Sequence, residues 1–94
     1  MMVIGTMIIK LHAPWVHSLK EKRMVVKSIS AKVSNKFNAS VAEVAEQDLH
    51  QSIVLGIACV TTSVAHGDSI LDTIINFVES NTEAEIIEIQ REII

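Results

Sequence analysis

The sequence predicts an α+β sandwich, one four-stranded antiparallel sheet carrying two helices. Three observations point to it. Apolar residues alternate with polar ones in several short stretches, they recur at helical spacing in two longer ones, and only one proline and three glycines interrupt the 94 residues. A chain of that length holds one domain, 1–94. With 49% hydrophobic and 20% charged residues it has the material for one core without a disulfide or a metal, although at this size the stability margin is thin.

The first strand spans Val3 to His12, with Val3, Met7, Ile9 and Leu11 on one face and Ile4, Thr6, Ile8, Lys10 and His12 on the other. Pro14 has no backbone donor and ends it. Ser18-Leu19-Lys20-Glu21 fits a capping box, in which the Ser18 hydroxyl accepts from the Glu21 amide and the Glu21 carboxylate returns to the Ser18 amide. The helix that starts there buries Leu19, Val26, Ile29, Val33 and Phe37, and turns Lys20, Arg23, Lys27, Ser30 and Ser34 the other way. Lys22 is read as laying its aliphatic stem over apolar surface.

"ASVAEVAEQD" carries Val41 and Val44 among polar positions and reads as an edge strand, with Glu43, Gln47 and Asp48 solvating and restraining that edge. "DLHQ" suits a hairpin turn, and the nearly continuous apolar run "QSIVLGIACVTT" suits a central strand. A second helix runs from about Val64 to Ser80, burying Val64, Leu71, Ile74, Ile75 and Val78. In the fourth strand Glu85, Ile87, Ile89 and Arg91 alternate with Ile86, Glu88, Gln90 and Glu92.

The order is β-α-β-β-α-β. Right-handed crossovers put both helices on one face of the sheet, the ferredoxin-like arrangement, with the first and third strands central. Ile29, Val33, Ile57, Leu71 and Ile87 are then expected in one core. The other sheet face has no helix to cover it. It shows Ile4 and Ile8, with Gly56 and Ala58 small enough to permit close approach, and this predicts a homo-oligomer, in the first instance a dimer. Edge pairing of the second strand is the rival geometry.

Charge is distributed unevenly. Residues 1–38 hold seven basic side chains and one acidic, for +6, while residues 39–94 hold one basic and ten acidic, for −9. In "HSLKEKRMVVKS", Lys20, Arg23 and Lys27 share one helix face and can act together on an anionic partner such as RNA phosphate. The alternative is a solvated face that keeps the protein soluble. An RNA-recognition-motif mechanism, which uses this fold, is excluded, because neither central strand carries an aromatic residue for base stacking. Trp15, the one tryptophan, either stacks on a base or plugs the end of the core, and the plug is the reading taken.

Nothing assembles into a catalytic site, so no enzyme is expected. His12, His17, His50 and His66 are scattered, no second cysteine completes a zinc site, and no metal or cofactor is expected. Asp48, His50 and Ser52 are neighbours along a turn, which does not make a triad. Gly5, Gly56 and Gly67 are isolated and form no phosphate loop. Cys59, in an apolar run, reads as a buried structural thiol, and Asn38-Ala39-Ser40 as a chance sequon. The N-terminal run is broken by Thr6 and Lys10, so neither a signal peptide nor a membrane span is expected, and the location is taken as cytoplasmic.

"SLKEKRMVVKSI", followed by "FNASVAEV", "QDLHQ" and "LGIACV", resembles the YlxP-like family of small bacterial domains of unknown function, over nearly the whole chain. The resemblance implies a ferredoxin-like fold. Through the family's usual gene neighbourhood, between a translation initiation factor and a ribosome-binding factor, it implies a role around the ribosome. It implies no activity and no catalytic residues. Two expectations of function follow: a non-catalytic module that binds ribosomal RNA or a ribosome-associated protein through the first helix, or a homo-oligomeric regulatory or small-ligand-binding domain using the open sheet face.

Overall fold

The computed structural model of the chain describes residues 1–94. Its elements are β1 (Val3–His12), α1 (Leu19–Lys36), β2 (Ala39–Ala45), β3 (Ser52–Thr61), α2 (Val64–Asn81) and β4 (Glu85–Ile93). The strands form one antiparallel sheet in the order β2-β3-β1-β4, so β1 and β3 are central and β2 and β4 are the edges. Both helices lie on one face, α1 against β2 and α2 against β1, β3 and β4. The fold is ferredoxin-like.

The core lies between the layers. Met7, Ile9 and Leu11 of β1 and Ile53, Leu55 and Ile57 of β3 meet Ile29 and Val33 of α1 and Leu71, Ile74 and Val78 of α2. Alternation along the two central strands puts these residues on the same face, and each fully buried aliphatic side chain contributes about 1.5–3 kcal/mol. Cys59 is buried in the same cluster. Phe37 and Phe77 close the far side of the helix pair edge to face, their ring centroids 5.4 Å apart.

Four details depart from the pattern read in the sequence. Ile87 is 52% exposed, and Ile86 packs against the core in its place. A bulge in the β1–β4 ladder is the reason: Lys10 pairs with Glu88 but Leu11 with Ile86, and the extra residue shifts the alternation by one. Val64 is exposed, because in the first turn of α2 it is Gly67 that faces the sheet, against Thr61 and Ile93. Val16 is fully buried at the end of the core while Trp15 stays 39% exposed, so the plug is Val16. The capping box forms by half. Glu21 N donates to the Ser18 hydroxyl at 3.1 Å, but the Glu21 carboxylate accepts from that same hydroxyl, at 3.5 Å, instead of from the backbone amide.

Two loops meet at the α1 N-terminal end of the sandwich. Ala13 N donates to the Gln51 carbonyl at 2.8 Å, and Gln51 Nε2 returns to the Pro14 carbonyl at 2.9 Å. These bonds hold the β1–α1 loop against the β2–β3 loop and so fix where α1 begins.

Candidate functional site

Of the eight basic side chains, three are committed to ion pairs: Lys10 with Glu46, Lys22 with Glu43, and Arg91 with Asp68 and Asp72. The other five, Lys20, Arg23, Lys27, Lys32 and Lys36, all lie on α1, and all are exposed. Lys20, Arg23 and Lys27 follow at i, i+3 and i+7 and so fall within about 60° of the helix circumference. Lys32 lies on another flank, where its Nζ donates to the Asn81 carbonyl at the end of α2, 3.4 Å away. The stripe of three therefore faces away from α2, along the side of the sandwich bounded by β2. Trp15 and Met24, with Val25 and Ile29, line a shallow groove between α1 and the end of α2.

Lys22, one turn into the same helix, does something different. It is 1% exposed, its Nζ 2.8 Å from Glu43 Oε2, and it donates to the Glu46 carbonyl at 2.7 Å. Only an ammonium surrounded by acceptors is tolerated at that depth. The ion pair joins α1 to β2 and holds the start of the β2–β3 turn, where Glu46 has φ 54°. The sequence hints at this through a lysine placed three and seven residues before Val25 and Ile29, within the buried sector, but the spacing names no acceptor.

On the uncovered face, Ile4 and Ile8 of β1 lie beside Gly56 and Ala58 of β3, their cross-strand partners or near neighbours. Ile8, Val44 and Val60 are exposed, and a depression of about 390 Å³ lies over Thr6, Ile8, Ala42, Gly56 and Ala58. Gly56 is not open space, however. A Cβ there would come within 2.8 Å of Val44 Cγ1, so the close approach expected of this glycine is made by its own chain. Val44 leans over it because a bulge between Glu43 and Ala45 inserts an extra residue into β2. Towards β4 the face becomes acidic, with Glu88 and Glu92 opposite Lys10 and Thr6. No aromatic residue lies on β1 or β3.

Three of the four histidines, scattered along the chain, come together in the fold. His12, His17 and His50, with Asp48 and Ser52, line a cleft of about 540 Å³ between the two tied loops. The Ala13–Gln51 and Gln51–Pro14 hydrogen bonds create that proximity, and such contacts are invisible in residue spacing. No three His, Cys, Asp or Glu side chains approach closely enough to hold a metal ion. Ser52 is not paired with His50. Its hydroxyl donates to the Glu46 carboxylate, which also accepts from Lys10 at 3.2 Å. Those two partners, Ser52 first, hold the Glu46 carboxyl below its ordinary value.

The family described as "Protein of unknown function (DUF503)" matches residues 4–91 of this chain. The chain belongs to that family. It is 43% identical over 68 residues to "Uncharacterized protein YlxP" of Bacillus subtilis (strain 168), a match covering 72% of this chain and 74% of the relative. The de novo designed protein Foldit4 is similar in fold, with a TM-score of 0.53 over 98% of this chain and 97% of that one at 12% sequence identity. No helix in the chain is long and apolar enough to cross a membrane.

Proposed function

We propose that this protein is a non-catalytic, cytoplasmic binding module whose α1 stripe engages the phosphate backbone of RNA, in the setting of the ribosome. The observation that carries this reading is the distribution of unpaired cations. Every basic side chain outside α1 is neutralised by an acidic neighbour, as is the buried Lys22, and the five in no ion pair are on one helix. Such clustering focuses positive potential on one surface of a chain whose net charge is −3. Lys20, Arg23 and Lys27 provide point contacts to phosphate that give affinity and salt dependence without sequence readout.

Sedimentation of a cell lysate at low and high salt tests this. The protein is expected to travel with a ribosomal subunit at low salt and to be released at high salt; recovery in the soluble fraction under both conditions contradicts the reading.

The apolar depression around Ile8 and Ala58 favours a second reading, in which the open sheet face seats a small apolar ligand or a second copy through Ile4, Ile8, Gly56 and Ala58. Ile8→Glu is expected to abolish association through that face while leaving binding to RNA unchanged.

A further inference from the structure

The charges that flank the two edge strands are opposite in sign. On one side, beside β2, stand Lys20, Arg23 and Lys27 of α1. On the other, beside β4, the outer flank of α2 carries Asp68, Asp72 and Glu79, which follow at i, i+4 and i+11 and share one stripe. Arg91 of β4 pairs with this stripe, reaching Asp72 at 2.6 Å and Asp68 at 3.1 Å, and offsets one of its three negative charges, so the stripe keeps a net negative charge. β4 adds Glu85, Glu88 and Glu92 to the same edge. The sandwich is thus basic along one edge and acidic along the other.

We infer that copies of this chain associate head to tail, the β2 edge of one against the β4 edge of the next, with the α1 stripe of the first lying along the α2 stripe of its neighbour. Charge selects this pairing among the three available. Two β4 edges would set glutamates against glutamates, and two β2 edges would bring two basic stripes together; only β2 against β4 joins opposite signs. Strand direction agrees. Every pair in the order β2-β3-β1-β4 is antiparallel, so β2 and β4 run in opposite senses, and a neighbouring copy in the same orientation continues an antiparallel sheet.

Spacing agrees as well. The stripe residues Lys20 and Lys27 are seven positions apart, as are Asp72 and Glu79, about 10.5 Å along each helix. Because α1 and α2 run in opposite directions, continuing the helix layer brings the two stripes together antiparallel. β2 itself presents no obstacle of charge: its one ionisable side chain, Glu43, is paired inward with Lys22. The contact is heterologous, so it builds chains or rings and not a closed two-fold dimer. It occupies the stripe proposed above for RNA, and the two modes of binding are then mutually exclusive.

Sedimentation velocity over a concentration series, at about 20 mM and about 500 mM salt, tests this on three proteins. Wild type is expected to grow in size with concentration at low salt and to dissociate at high salt. K20E/R23E/K27E and D72K/E79K, each verified as folded by circular dichroism, are each expected to be monomeric, because each places like charges at both partners of the contact. An equimolar mixture of the two variants restores opposite signs at both edges, and is expected to regain assembly. A wild type that remains monomeric at high micromolar concentration and low salt overturns the inference, as does a mixture that stays monomeric. D72K/E79K also separates this inference from the RNA reading: it leaves the α1 stripe intact, so it loses self-association and retains binding to an RNA oligonucleotide. Loss of RNA binding in that variant would contradict the RNA reading instead.

Discussion

Lys22 Nζ lies 2.7 Å from the carbonyl oxygen of Glu46, the one non-glycine residue in the chain with a positive φ. A left-handed residue at the end of β2 is unfavourable unless its neighbours hold it, and here a buried ammonium bonds the carbonyl while Ser52 and Lys10 bond the carboxylate. One glutamate is gripped from both faces of the sheet.

Replacing Lys22 with methionine keeps much of its volume but leaves Glu43 without its partner. The expected loss, by chemical denaturation, is about 3 kcal/mol. The double variant with Glu43→Leu, which removes the orphaned carboxylate, is expected to recover a large part of it. Equal stability of the single variant and wild type would show that the pair is not a determinant of the fold.

Glu46 makes stability depend on acidity. Its carboxyl is held below the ordinary 4.5, first by the Ser52 hydroxyl and then by Lys10, so it binds fewer protons folded than unfolded. The contribution is fully present above the ordinary value and is lost as pH falls through the depressed one. Between about pH 6 and about pH 3, Glu46→Gln is therefore expected to lose less stability than wild type. Parallel curves for the two proteins would exclude Glu46 as a source of the acid dependence.

Gly56→Ala places a methyl group against Val44 Cγ1, where 2.8 Å separates the positions. Overpacking of this kind costs about 1 kcal/mol or more, and Val44→Ala in the same chain is expected to relieve it. The thermodynamic cycle of the two substitutions measures the coupling directly, and strict additivity would mean that Val44 does not fill the space.

How far the fold could be read depended on whether a residue's role is periodic. Val3–His12 alternates as read, and Ile29 and Val33 of α1 and Leu71, Ile74 and Val78 of α2 are buried where helical spacing put them. Ile87 was misplaced because a bulge breaks the period, and nothing in "EIIEIQREI" marks which of two adjacent isoleucines turns inward. Lys22 and the histidine cleft were missed for another reason: each depends on contacts between segments far apart in sequence, Lys22 with Glu46 and Ala13 with Gln51. Lys20, Arg23 and Lys27 were legible, because exposure on one helix face is itself periodic; that they are also unpaired required knowing where every carboxylate sits.

The measurement closest to the central claim is the salt dependence of binding to single-stranded RNA, for wild type and for K20E/R23E/K27E. All three residues are exposed, and substitutions of this kind usually shift stability by about 0.5 kcal/mol or less, so the variant is expected to fold. Binding should fall sharply. Each lost phosphate contact should also flatten the slope of log affinity against log salt by roughly 0.7 to 1. The predicted result is a folded variant that no longer binds, with single substitutions intermediate in both affinity and slope. A folded triple variant with wild-type affinity and an unchanged slope would contradict the account and leave the α1 stripe as solvated surface.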